Sequence, residues 1–413
     1  MATTEGADRY SSIGSSGIRD LEARFLFSTY SRYDLFISHG AGVYVYDLSG
    51  RQYLDLLGGI AVSSLGYNHP RIVRVLNEQG KSLIHCSNLF YHAFQGQLAE
   101  RLCRVSGMSR VFFTNSGTEA IEAALKIARA YGHIHGGPGK SRILSLRNSF
   151  HGRTYGALSI TAQEKYQAPF RPLLPDVDVV QELTAGSLEA AFSDRVCAMV
   201  LEPIQGEGGI VPIPASFLKA ARELCDRHQA LLVFDEIQSG MGRTGKWFAF
   251  QHCGVEPDLL ALAKSIAAGY PLGAVLGNAL VAGSLKPGDH GTTFGGGPLA
   301  CRLALEVMDI IEEDGLLQEV TGLGRRLSAG LRSLASRHSG IGEVRGLGLM
   351  IGAELGASAK EVVSRLLREG FIANAAHDTV LRLLPPFIIR PEQIDEFLTA
   401  LDGILSDMED KVR

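Results

Sequence analysis

Short apolar runs recur through the middle of the chain, and most end in a small or polar residue. RVFFTN (110–115), RILSL (142–146), VCAMVL (196–201), LLVFD (231–235) and LLALAK (259–264) read as buried strands: each is short and nearly continuous in apolar residues. Between them lie helical patterns such as AIEAALKIARAYG (120–132), with apolar residues three and four apart. Strand and helix alternating over 110–280 is the signature of a parallel sheet. The parallel pattern is expected to run on through PLGAVLG (271–277).

The flanks differ. The stretch 39–57 alternates polar and apolar positions around an LSG turn and predicts a hairpin. Helices are predicted near Arg71–Lys81 and up to about Val105, and a helix followed by a segment containing Tyr30 over 18–35. Towards the C-terminus come a helix (Leu323–Arg337), the strand-like GEVRGLGLMIGAEL, a helix (Ala359–Glu369), a strand (Val380–Leu383) and a last helix (Pro391–Met408). The resulting α/β architecture has a large, mostly parallel sheet domain (65–315) and a small α+β domain. The small domain is built from 18–64 and 316–413, with one sheet expected to include the N-terminal hairpin. Residues 1–17 are polar and small and are expected to be disordered.

In open α/β sheets, ligands bind beyond the carboxyl ends of the strands. Asp235 and Glu236 close one apolar run, and Lys264 closes the next. An amine ending a buried run loses its proton readily, and a neutral amine is a nucleophile toward carbonyls. An acid on one strand end and a lysine on another is what pyridoxal phosphate (PLP) requires: the lysine to bond its aldehyde, the acid to keep the pyridine nitrogen protonated. Taken singly, Asp235 also reads as an ion-paired acid and Lys264 as a solvated lysine at a helix start.

A strand turning through Ser116-Gly117-Thr118-Glu119 into a helix aims backbone N–H groups at one point, which suits an anion. Plain capping by Ser116 or Thr118 explains the same residues. Phe150 is placed to stack on a flat ring, and Arg153 to grip a carboxylate. Glu202 and Glu207 sit in a glycine loop at another strand end. GMGRTG (240–245) matches a dinucleotide fingerprint by letter, but the six residues DEIQSG lie between the apolar run and the motif's second glycine, so that reading fails. His133 and His135 have no partner ligands at metal spacing, and no metal site is predicted.

The chain has 413 residues, 46% of them hydrophobic, and a formal net charge of −4, which argues against nucleic acid as a partner. Cys86, Cys103, Cys197, Cys225, Cys253 and Cys301 are scattered singly, as in a reducing compartment. No apolar run approaches the ~18 residues of a spanning helix, and no apolar signal core is present. A cytoplasmic protein without a membrane partner is expected.

Together, GGIAVSSLGYNHP, SNLFYH, FFTNSGTEA, FHGRT, LEPIQGEGG, FDEIQSGMGRTG, PDLLALAK, TTFGGGP, RGLGLMIG and LRLLPP occur in the order found in the class III PLP-dependent aminotransferases of fold type I. The chain resembles that family over roughly 20–408, and within it the acetylornithine branch. Two stretches depart from the family: Gly297 stands where Asn is frequent, and LAKSIAAGYP replaces a more glycine-rich run.

The resemblance implies a role for each matching position. Lys264 would hold PLP covalently and shuttle a proton. Asp235 would pair with the ring nitrogen, Gln238 would bond the ring hydroxyl, and Phe150 and Ile237 would sandwich the ring, with His151 in the same set. Ser116, Gly117 and Thr118 would hold the phosphate, completed by Thr293 from the other subunit of a homodimer with shared sites. Arg153 would bind the distal carboxylate of the substrate. Arg382 would bind the α-carboxylate of glutamate, with Glu207 as its alternative partner. Tyr30 and Ile60 would also face the substrate; ornithine enzymes resemble one another in having Tyr at the latter position. The implied reaction is N-acetylornithine plus 2-oxoglutarate to N-acetylglutamate 5-semialdehyde plus glutamate. The alternatives are succinylornithine, carrier-linked lysine-branch, 4-aminobutyrate or ornithine transamination, or a PLP-binding scaffold without turnover.

Overall fold

The computed structural model describes residues 13–355 and 359–410. Most of the 1–17 tail therefore lies outside the described residues, but 15–17 open a helix, Ser15–Phe25. Three strands follow: β1 (Ile37–Ala41), β2 (Tyr44–Asp47) and β3 (Gln52–Asp55). The central part supplies β4 (Arg110–Thr114), β5 (Arg142–Leu146), β6 (Val177–Val180), β7 (Val196–Leu201), the short pair β8 (Ile204–Gln205) and β9 (Val211–Pro212), β10 (Leu231–Asp235), β11 (Leu259–Leu262) and β12 (Gly273–Gly277). The last part adds β13 (Ile341–Leu347), β14 (Met350–Leu355), β15 (Phe371–Ile372), β16 (Asn374–Ala376) and β17 (Val380–Leu383).

Seven strands form the large sheet in the order β4-β12-β11-β10-β7-β5-β6. All neighbouring pairs from β11 to β6 are parallel. The expected parallel continuation through 271–277 is corrected here: β12 runs antiparallel to both β11 and β4. Ala263–Leu272 is too short for the crossover of about a dozen or more residues that a parallel neighbour needs. Strands β7, β10, β11 and β12 are buried along their whole length, which is why they read as unbroken apolar runs. Each fully buried Leu or Val contributes about 1.5–3 kcal/mol. The helix Gly117–Gly136 covers one face with Ala120, Ile121, Ala124, Leu125 and Ala128. The reversal of strand order between β5 and β7 opens a crevice beyond the strand ends.

The N-terminal hairpin does not join the C-terminal sheet as expected. Two four-stranded sheets form, β1-β2-β3-β15 and β13-β14-β17-β16. The chain pairs with β3 through Phe371–Ile372 and with β17 through Asn374–Ala376, so it passes from one sheet to the other at Ala373. The helix expected from Leu323 begins at Leu316, after Gly315 in a left-handed conformation (φ 63°). Within it, Gly324 is needed where the backbone of Gly348 presses against it.

Candidate active site

The carboxyl ends of β4, β5, β7, β10 and β11 converge on a cavity of ≈ 380 Å³. Because β12 is reversed, its beginning, Pro271 and Leu272, lines the same end. Asp235 is the last residue of β10 and is buried. One carboxylate oxygen accepts from the Ile237 N–H at 3.0 Å, and the other lies 2.7 Å from Nδ1 of His151. His151 is buried, with Nε2 lacking a partner among the described residues. Burial works against its charged ring, but the hydrogen bond and charge of Asp235, helped by Glu202, outweigh this and raise its pKa. Glu202, just past β7, accepts from the N–H groups of Phe150 and Gly206, each at 2.9 Å. Burial pushes its carboxyl up to about 7.

Lys264 follows β11 after one residue, and its φ of 45° is in the left-handed region, a strained conformation for lysine. Next to it, Ser265 donates to the Ala61 carbonyl at 2.7 Å and fixes the turn. Surrounding protein lowers the Lys264 amine to about 8; Arg382 adds to this, while Glu207, Asp235 and Glu202 oppose it. A minority of the amine is therefore unprotonated near physiological pH, far more than for an ordinary lysine.

The loop after β4 is capped by Ser116, whose Oγ accepts from the Glu119 N–H at 3.4 Å. The Glu119 carboxylate reaches back to the Asn115 N–H at 2.7 Å. This reciprocal arrangement leaves Gly117 and Thr118 at the helix start, facing the cavity. A Cβ on Gly117 would lie 2.8 Å from Ile237, so only glycine lets the loop approach that wall. The Thr118 hydroxyl is 2.8 Å from that of Thr154 and accepts from the Arg153 N–H at 3.3 Å.

Arg382, on β17, is 1% exposed. It donates to Asn374 at 3.0 Å and pairs with Glu207. Burial pushes the Glu207 carboxyl up, but Arg382 and Lys264 prevail and hold it below the usual range. Arg153 is exposed at the cavity mouth, and no carboxylate among the described residues pairs with it. The cavity thus brings together Ser116, Gly117, Thr118, Phe150, His151, Arg153, Glu207, Asp235, Ile237, Gln238 and Lys264, with Arg382 joined through Glu207.

Three expected residues lie elsewhere. Thr293 is on an exposed loop away from the cavity of its own chain. Ile60 does not line the cavity; it packs against the small cluster of Ala61, Ile204, Ile210, Met350 and Leu384, of which Ile204 is a lining residue. Tyr30 is not brought to the cavity: it is 77% exposed, 5.9 Å from the Arg32 guanidinium, on a segment without regular structure. Tyr33 is the tyrosine of that segment that feels Arg382; burial raises its phenol, and Arg382 and Lys360 pull it partly back.

The model for class-III aminotransferases matches residues 28–405. The chain belongs to this family. Acetylornithine aminotransferase of Methanocaldococcus jannaschii is 45% identical over 94% of this chain and 98% of its own. That of Caldanaerobacter subterraneus is 43% identical over 94% and 98%. Among solved structures, ornithine aminotransferase from Toxoplasma gondii superposes with a TM-score of 0.92 at 33% identity, covering 97% of this chain and 96% of that one. Acetylornithine aminotransferase from Elizabethkingia anophelis gives 0.84 at 29% identity, covering 96% and 100%.

The cofactor of this class III aminotransferase is pyridoxal 5′-phosphate. The residues present fit it. Nε2 of His151 and Oε1 of Gln238 are buried without partners among the described residues, and both side chains line the cavity. Buried polar atoms of this kind call for a ligand or water. The capped helix start offers free N–H groups to a phosphate, and Gly117, packed tightly beside Ile237, keeps that approach clear of a side chain. Sequence patterns did not reveal Tyr33 or the bond between His151 and Asp235, because these contacts join residues far apart in the chain.

Proposed function

We propose that this aminotransferase moves the amino group of N-acetylornithine to 2-oxoglutarate, giving N-acetylglutamate 5-semialdehyde and glutamate. The observation that carries the reading is the spacing of charges around one amine of lowered pKa: Lys264 at the cavity floor, the self-paired Glu207 and Arg382 on one side, and the unpaired Arg153 at the mouth. The 45% and 43% identical relatives named acetylornithine aminotransferase support it. So does Ile60, which offers no hydroxyl to the α-amine and carboxylate of free ornithine.

When bound, the cofactor supplies an electrophilic aldehyde and a protonated ring that accepts electrons. Lys264 would be the residue that holds it covalently, and its amine would carry the proton removed from the substrate carbon. Asp235, oriented by His151 and Ile237, would keep the ring nitrogen protonated. Gln238 would bond the ring hydroxyl, Phe150 and Ile237 would cover the ring, and Ser116, Gly117 and Thr118 would hold the phosphate. Arg153 binds the distal carboxylate in both half-reactions. Arg382 leaves Glu207 to bind the α-carboxylate of glutamate and returns to it when acetylornithine enters, so one pocket accepts a charged and an uncharged end.

A homodimer with shared sites is part of this reading. Asn88 ties the Thr292–Gly295 loop to a loop exposing Leu89, Phe90 and Tyr91 at 85%, 67% and 107%, beside Phe294 at 66%. Such a patch suits a second copy, and Thr293 would then reach the other subunit's phosphate. The small domain (18–64 with 316–413), the large domain (65–315) and a cytoplasmic location complete the proposal; no described helix is long and apolar enough to cross a membrane.

Turnover with N-acetylornithine, ornithine and 4-aminobutyrate as donors tests the reading. It predicts the highest kcat/KM for N-acetylornithine. A higher value for either other donor would overturn it.

A further inference from the structure

Two cations share one phenol at the cavity mouth. The Arg153 guanidinium lies 3.9 Å from the ring centroid of Tyr166, and Nζ of Lys165 lies 4.9 Å from it. Tyr166 in turn meets Phe150 edge to face, with centroids 5.8 Å apart and planes at 79°. Arg153 also sits 5.4 Å from the Phe150 ring. The guanidinium is thus held by ring faces rather than by a carboxylate, which leaves its N–H edge free for a ligand.

The segment carrying Tyr166 is built to stay still. Its short helix, Glu164–Gln167, is bracketed by two glutamines bound to backbone. Gln167 donates to the carbonyls of Leu158, Ser159 and Thr161 at 3.1, 3.2 and 3.0 Å. Gln163 donates to that of Ser149 at 3.1 Å, one residue before Phe150. The Tyr166 N–H closes the turn onto the Gln163 carbonyl at 3.0 Å. The aromatic wall and the ring-stacking Phe150 are therefore fixed to the same backbone.

We propose that Tyr166 is the positioning residue of the distal-carboxylate clamp and that Lys165 extends the clamp toward donors whose acyl group carries a second carboxylate. The inference rests on Arg153 being the distal clamp, as in the function proposed above. Tyr166 holds the guanidinium flat, so that its edge meets the carboxylate without first being ordered by the substrate. Lys165 is exposed on the same ring and pairs with no described carboxylate, though Asp378, itself paired with Lys360, feels its charge. It is an exposed cation that shares the Tyr166 ring with Arg153, and we place the emerging N-acyl group beside it. An N-succinyl group ends in an anion there; an N-acetyl group does not.

Steady-state kinetics of cofactor-loaded variants with N-acetyl-L-ornithine and N-succinyl-L-ornithine test this. Tyr166→Leu should raise KM for both donors about tenfold, with kcat within about twofold, because an ordered cation–π contact is lost. Tyr166→Phe should restore wild-type KM, since only the ring is required. Lys165→Met should leave N-acetylornithine unchanged but lower kcat/KM for N-succinylornithine about three- to fivefold, an effect that shrinks with added salt. An unchanged visible spectrum in each loaded variant establishes that the cofactor site is intact. Arg153→Ala separates the two levels of the argument. If it raises KM strongly and Tyr166→Leu does not, the positioning role is wrong while the clamp stands. If Arg153→Ala leaves KM unchanged, the parent reading has failed. Equal losses for both donors in Lys165→Met would overturn the part assigned to Lys165.

Discussion

Nδ1 of His151 and a carboxylate oxygen of Asp235 lie 2.7 Å apart at the floor of the cavity, both side chains buried. The two residues are far apart in the chain and are brought together by the strand ends of β5 and β10. The contact fixes which way the carboxylate faces and raises the pKa of the imidazole.

Replacing Asp235 by Asn should therefore lower kcat by about 10²–10⁴-fold, because the neutral amide cannot hold a proton on the ring nitrogen. Replacing His151 by Asn should cost less, since the Ile237 N–H still orients the acid. The raised histidine also carries a stability signature. Its contribution is fully present below the ordinary histidine range and is lost as pH rises through its folded pKa. Thermal unfolding of the apoprotein across neutral to alkaline pH should show this loss in wild type and a flatter profile in His151→Asn. Parallel profiles would contradict it.

Gly117→Ala should weaken cofactor binding without removing the amine. The new methyl group meets Ile237 at 2.8 Å. Overpacking of this kind costs about 1–3 kcal/mol, roughly 5- to 150-fold in Kd. Titrating apoprotein with pyridoxal phosphate measures it; unchanged affinity would mean that the loop yields freely.

The Lys264 amine, lowered to about 8, should make capture of the cofactor by apoprotein speed up as pH rises through that value. Arg382 helps to lower it and Glu207 helps to raise it. Arg382→Met should shift the profile to higher pH, and Glu207→Gln to lower pH. Shifts in the same direction would contradict the charge arrangement.

Glu207→Gln also leaves Arg382 without its neutralising partner. The half-reaction with glutamate should persist, while kcat/KM for N-acetylornithine should fall about 10- to 100-fold, because an uncharged chain must then pass an unpaired buried cation. Single-turnover measurements of the two halves distinguish this from a general loss.

Shared sites predict complementation. Lys264→Ala and a Thr293 variant with little activity should, after mixing and subunit exchange, form hybrids with one intact site, restoring about a quarter of wild-type activity. No recovery, in mixtures proven to contain hybrids, would place Thr293 outside the phosphate site.

Residues that close an apolar run at a strand end were legible in the sequence, because burial on both faces leaves a nearly continuous pattern. Asp235, Lys264 and the capped loop at Ser116 belong to this class. The direction of β12 was not legible: a buried antiparallel strand carries the same pattern as a parallel one, and only the length of Ala263–Leu272 tells them apart. The split of the smaller sheets turns on Ala373, where no glycine or proline marks the crossing. Tyr166 and Tyr33 look like ordinary loop aromatics in the sequence, since their meaning lies in which arginine they meet.

The most direct measurement is the position of the covalent link to the cofactor. Borohydride reduction of the pyridoxal phosphate-loaded protein, then peptide mass spectrometry, should place the phosphopyridoxyl mass on Lys264 and nowhere else. The same mass on another lysine, with Lys264 unmodified, would contradict the account at its base.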